Sequence, residues 1–97
     1  MPEVRLTLQA DRDLLDIFVF GLQTFGTRQA ERYAATLDHC FQLLAENPRM
    51  GRSAPTLGPQ VRRHEHESHV ILYEATELGI LVLAVVHKQV LLRLRSV

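Results

Sequence analysis

Residues 43–51 read Leu43-Leu44-Ala45-Glu46-Asn47-Pro48-Arg49-Met50-Gly51, and the chain changes character inside this stretch. Asn47 precedes a proline and is biased away from helical angles, and Pro48 has no N–H to give to a helix interior. A helix running into this stretch must end at Asn47-Pro48. Beyond Gln60 the pattern is that of strands.

Upstream of the break, Leu14, Ile17, Phe18, Leu22 and Phe25 recur at helical spacing, and so do Ala30, Tyr33, Ala34, Leu37, Phe41 and Leu44. Both segments read as amphipathic helices. Between them, Gly26 can take a positive φ as a C-terminal cap, and the Thr27 hydroxyl can accept a free N–H of the second helix. Before the helices, Val4 to Leu8 alternates with Arg5 and Thr7 and reads as a first strand.

Downstream, Gly51, Pro55, Gly58 and Pro59 lie too close together for regular structure, so Arg49 to Pro59 is expected to be a loop. Val61 to His66, His69 to Ala75 and Ile80 to His87 then follow, separated by Glu67-Ser68 and Thr76-Glu77-Leu78-Gly79. That is the pattern of an antiparallel meander. Ile80 to Val86 is apolar on both faces and should be the most buried strand. Val90 to Leu94 adds either an edge strand or a short terminal segment. The expected fold class is α+β, ordered βααβββ, with both helices on one face of an antiparallel sheet of three to four strands.

A chain of 97 residues suits a single domain over residues 1–97, one that buries about two thirds of its unfolded surface. Cys40 is the only cysteine. This excludes an intrachain disulfide and points to a reducing compartment, with the cytoplasm as the expectation. Met1-Pro2-Glu3 opens no signal peptide, and the longest apolar run, Ile80 to Val86, is too short to span a bilayer. The formal net charge is zero, but residues 1–48 carry four arginines against seven acids, and residues 49–97 carry six arginines and a lysine against four acids. An acidic helical side and a basic sheet side follow, and the latter suits an acidic or mixed-charge partner. Non-specific nucleic-acid binding is disfavoured, because it calls for a clearly basic domain.

With these elements in place, the chain resembles the ParE toxins of the RelE/ParE superfamily. The resemblance rests on the short first strand, on the helix opening Asp13-Leu14-Leu15-Asp16-Ile17, and on the second helix ending in residues 43–51. It also rests on Arg62-Arg63, on Ser68-His69-Val70-Ile71-Leu72-Tyr73, and on a last strand closing Val85-Val86-His87. It covers Val4 to Leu94. It implies the toxin of a type II toxin-antitoxin system, held harmless by a ParD-like ribbon-helix-helix antitoxin and acting on DNA gyrase. The sister RelE branch shares the fold and cleaves messenger RNA on the ribosome, so the decision rests on site chemistry.

RNA cleavage needs a group to activate the 2′-hydroxyl, cations for the phosphorane and an acid for the leaving oxygen. Arg62 or Arg63 could clamp phosphate and His87 could move protons. The resemblance to the RelE branch implies a tyrosine or other proton-transfer residue in the final segment and basic loop lysines, whereas Lys88-Gln89-Val90-Leu91-Leu92-Arg93-Leu94 offers none beyond Lys88, the only lysine. The chain is therefore read as a non-catalytic gyrase inhibitor. The alternatives are a ribosome-dependent endoribonuclease using Arg62, Arg63 and His87, and a non-toxic protein that only binds its antitoxin.

Target contacts are expected at Arg62, Arg63, His87, Arg93 and Arg95. Arg62 and Arg63 alternate faces, so the inward one is either a structural anchor or a binding contact. Arg93 and Arg95 alternate with Leu92, Leu94 and Val97 in a cationic tail. The first helix has more apolar residues than one stripe can bury, which exposes Leu15, Val19 and Phe20 to a partner. Antitoxin contacts are expected at Leu15, Val19, Phe20, Gln23, Arg32 and Ala35, with a C-terminal antitoxin segment folding as it binds. The alternative is that Val19 and Phe20 pack beneath the first strand. His64 and His66 share a strand face, a spacing that two imidazoles could use for zinc or nickel. Two further ligands have no obvious source, so no metal and no cofactor are expected.

Overall fold

The computed structural model describes residues 2–95, the last three by their backbone alone. The chain runs β1 (Glu3–Leu6), α1 (Leu8–Phe25), α2 (Thr27–Glu46), β2 (Arg52–Ser53), β3 (Arg62–His66), β4 (His69–Ala75), β5 (Gly79–His87) and α3 (Lys88–Arg95). The strands form one sheet in the order β1-β5-β4-β3-β2. The α+β class and the order of a strand, a helical hairpin and an antiparallel meander hold. β1 lies parallel to β5, while β5, β4, β3 and β2 are antiparallel.

Four local readings are corrected. The first strand stops at Leu6, because the Thr7 hydroxyl accepts the Ala10 N–H at 3.0 Å and starts α1 at Leu8. Gly26 takes φ 92° and alone joins the two helices; Thr27 is the first residue of α2 and caps nothing with its side chain. The stretch 49–59 contains β2, which pairs with Arg62 and Arg63 and makes a fifth strand. Residues from Lys88 onward turn into α3 and add no edge strand, with Gln89 N–H bonded to His87 Nδ1 at 3.1 Å.

Alternation along β4 sends Ile71 and Tyr73 to the helical side, where they meet Val82, Ile80 and Val85 of β5. Ala10 of α1 and Leu37, Cys40, Phe41, Leu44 and Ala45 of α2 complete this core. Val70 on the other face is fully buried as well, and Leu91 of α3, which packs on β5, is buried too. The register slips by one between Leu72 and Tyr73; the extra residue, Leu83, lies on β5 and lets Val82 and Val85, three apart, both face the helical side opposite Tyr73 and Ile71.

β1 pairs with β5 only as far as Leu6 opposite Val82. Past that point the N-terminal part of α1 serves as β5's neighbour. The Thr7 hydroxyl donates to the Leu83 carbonyl at 2.7 Å, and the Asp13 carboxylate accepts the Val85 N–H at 2.9 Å. This is why an acid stands among apolar residues near the start of α1: its oxygen satisfies a strand donor that β1 is too short to reach.

Candidate functional site

Three arrangements position the residues singled out in the sequence. The first surrounds Tyr73. Its buried hydroxyl donates to the Pro48 carbonyl at 2.6 Å and accepts the Gly51 N–H at 2.9 Å, while Arg62 Nη1 donates to the Gly51 carbonyl at 2.7 Å. The turn after α2 is thus clamped from three sides. Gly51 has no room for a side chain, since a Cβ would press on the Tyr73 hydroxyl and lie 2.9 Å from the Arg63 carbonyl. Burial raises the Tyr73 pKa, so the hydroxyl stays protonated and able to donate.

Arg62 therefore faces the helical side and anchors the turn. Arg63 points to the outer face, where Glu65 collects three cations: Arg52 at 3.4 Å, Arg63 at 3.5 Å and Lys88 at 3.6 Å. Arg63 Nε is buried without a hydrogen-bond partner among the described residues.

The second arrangement lies at the far end of β3 and β4. Tyr33 of α2 sets its hydroxyl 2.6 Å from His69 Nδ1, and Thr36 Oγ1 lies 3.1 Å from His66 Nε2. His69 stands opposite His87 on β5, with ring centroids 5.4 Å apart and nearly perpendicular planes. The turn between His66 and His69 passes through Glu67 at φ 50°, a left-handed conformation uncommon outside glycine. Burial, aided by the nearby Glu67, pushes the Tyr33 hydroxyl up to about 12. Burial lowers the pKa of His66 against the pull of Glu67, and it lowers that of His69 with help from His87 and His66. A neutral His69 that accepts from Tyr33 is the consistent state. Among the described residues no three His, Cys, Asp or Glu side chains are grouped to hold a metal ion.

The third arrangement is an open groove of about 1100 Å³ between the helical hairpin and the sheet. Its walls include Val4 and Leu6 of β1, Leu14, Ile17, Phe18 and Phe20 of α1, Leu37 and Phe41 of α2, and Val85 of β5; His69, His87 and Val90 close one end. Phe20 is 62% exposed, Leu15 62% and Val19 40%, so none of them packs beneath β1. Leu22 and Phe25, which share the helical spacing of the core line, are exposed as well, and Phe25 stacks edge-on against Phe20 at 6.3 Å. At Gly21 α1 lies close against α2, where a Cβ would stand 3.3 Å from that of Ala30.

The expected antitoxin contacts divide. Phe20 lines this groove; Leu15, Val19 and Gln23 are exposed elsewhere on α1; Arg32 and Ala35 line a separate shallow depression with His39, Cys40 and His66. The expected target contacts divide too. Arg62 and Arg63 stand at one end of β3, His87 at the opposite end of the sheet, and Arg93 and Arg95 on the backbone of α3, with Val97 outside the described residues. The groups that sequence reasoning missed are Gly51, Asp13 and Thr7. Their signals were the closeness of glycine to Pro48, an acid within an apolar helix, and a threonine of N-cap type just ahead of Leu8.

The chain matches the family model for the ParE toxin of type II toxin-antitoxin systems, parDE, over residues 4–91. It is 37% identical over 73 residues to Toxin ParE1 of Caulobacter vibrioides, which is 75% of this chain and 76% of that one. It is 32% identical over 85 residues to Toxin ParE1 of Mycobacterium tuberculosis, covering 87% of each. Its fold superposes with a TM-score of 0.75 on a solved chain from a chromosomal ParDE system of P. aeruginosa, over 90% of this chain and 96% of that one at 19% identity. The last likeness is one of fold. The family match and the two sequence relatives establish that this chain belongs to the ParE toxin family of type II toxin-antitoxin systems.

Proposed function

We propose that this toxin acts by binding, with DNA gyrase as its target, and that a ParD-like ribbon-helix-helix antitoxin neutralises it by laying a segment into the groove between hairpin and sheet. The cytoplasm is then its place of action. The observation that supports the non-catalytic reading is the separation of Arg62 from His87, while Arg63 is drawn into the cation cluster around Glu65. Arg62 is paired with Tyr73, and His87 is paired with His69, which is paired in turn with His66. Arg62 and His66 are four residues apart along β3, roughly 13 Å at about 3.3 Å per residue. This separation of a phosphate clamp on Arg62 from a proton carrier on His87 supports action by binding. Arg62 is moreover committed to the Gly51 carbonyl.

The groove supports the antitoxin half of the reading. It is lined largely by apolar side chains beside an exposed aromatic pair, the surface that an amphipathic segment folding on contact would cover. Arg63, Arg93 and Arg95 remain the proposed gyrase contacts, since Arg62 is engaged within the fold. Regulated expression in cells tests the proposal. Growth should stop with loss of plasmid supercoiling and intact messenger RNA, and co-expressed antitoxin should restore it. Arrest with ribosome-dependent RNA cleavage would overturn the gyrase reading.

A further inference from the structure

The groove carries a charge pattern that its apolar walls do not explain. Four carboxylates line it, from Asp13, Asp16, Asp38 and Glu67, and no lysine or arginine is among its described lining residues. Asp13 is occupied by the Val85 N–H and by Gln9 Nε2 at 2.8 Å, and Glu67 lies 3.6 Å from His66 Nε2. Asp16 and Asp38 are exposed and have no hydrogen-bond or ion-pair partner among the described residues. One stands on α1 and the other on α2.

An apolar segment filling this groove would take water from these two carboxylates, a costly step unless it brings compensating charge. We propose that the segment filling the groove is a cationic amphipathic stretch of the antitoxin, with apolar anchors against Phe20 and its neighbours and Lys or Arg side chains set opposite Asp16 and Asp38. This deepens the antitoxin reading above and rests on it. The acidic balance of residues 1–48, four arginines against seven acids, draws the same partner. The apolar contacts hold the segment, and the paired charges fix its register and exclude antitoxins with acids at those positions.

The test uses the antitoxin encoded with this toxin, labelled with a fluorophore, and compares three toxins at about 50 mM and about 500 mM salt. These are the unaltered chain, the double variant Asp16→Asn/Asp38→Asn, and Phe20→Ala. The double variant should bind roughly tenfold or more weakly at low salt, with the difference shrinking at high salt. Phe20→Ala should weaken binding at both. In a fourth toxin, reversing the charges as Asp16→Lys/Asp38→Lys should abolish binding, and Glu in place of the facing antitoxin cations should restore it. Unchanged binding by the double variant, with Phe20→Ala weakened, would overturn the cationic segment while leaving the groove as the antitoxin seat. Unchanged binding by both would overturn both readings. A free toxin whose self-association alone responds to these variants would assign the groove to a second copy and overturn the proposal.

Discussion

The Tyr33 hydroxyl lies 2.6 Å from His69 Nδ1, a bond that ties the middle of α2 to the start of β4 beside the groove. A neutral imidazole, the state that burial favours, can accept the Tyr33 hydroxyl proton in this bond. His69 and His66 both titrate below the ordinary 6.5 in the folded chain, mainly through burial. The unfolded chain therefore binds protons first as the pH falls, and stability declines with acidification. Stability is thus expected to hold above about 6.5 and to fall below it until the folded-state values are passed. Urea midpoints measured across this range check it. His69→Gln, which keeps an acceptor and cannot titrate, should flatten the decline, and Tyr33→Phe should cost about 1 kcal/mol at neutral pH.

A second expectation concerns the turn after α2. Gly51→Ala must displace the Tyr73 ring or the strand carbonyl behind it, breaking the bonds to Pro48 and Gly51. It should destabilise by about 2–4 kcal/mol. Tyr73→Phe leaves the Gly51 N–H unpaired in a buried place and should cost about 1–3 kcal/mol. Equilibrium denaturation measures both, and a neutral Gly51→Ala would show that the clamp is looser than described.

Third, α1 substitutes for a strand. Asp13→Ala orphans the Val85 N–H and should cost about 1–3 kcal/mol, whereas Asp11→Ala, which removes only an exposed charge from the first turn of α1, should cost about 0.3–1 kcal/mol. Thr7→Ala loses both the helix cap and the bond to Leu83, and about 2 kcal/mol is expected. Hydrogen exchange at Val85 should rise with Asp13→Ala and be unmoved by Asp11→Ala.

Fourth, the two neighbouring arginines should separate by role. Arg62→Ala should lower stability together with toxicity, because its guanidinium holds the Gly51 carbonyl. Arg63→Ala should lower toxicity with a smaller loss of stability than Arg62→Ala, since its ion pair is long and shared with Arg52 and Lys88 and only the packing of its largely buried stem is lost. Growth assays with matched unfolding curves distinguish the two.

The sequence made the element order legible because periodicity changes sharply at Pro48 and again after the 49–59 stretch. It showed His69 to Ala75 to the residue, because polar breaks bound that strand on both sides. It did not show α3, since Leu91, Leu92 and Leu94 fit alternation as readily as a helical face and no cap residue marks Lys88. It did not show β2, whose two residues carry no period. At the site, alternation correctly put Arg62 and Arg63 on opposite faces, but only the fold reveals which one meets Gly51. Phe20 was legible as surplus apolar surface, whereas Arg32 and Ala35 fell on another side of α2 because helical spacing fixes a residue's face without fixing what lies opposite it.

The most direct measurement is incubation of the purified toxin with gyrase, ATP and closed circular plasmid, followed by protein denaturation and a gel for cleaved DNA. The account predicts linear DNA that depends on gyrase and disappears when the antitoxin is added first. Intact plasmid and unimpeded supercoiling with a folded toxin in excess would contradict it.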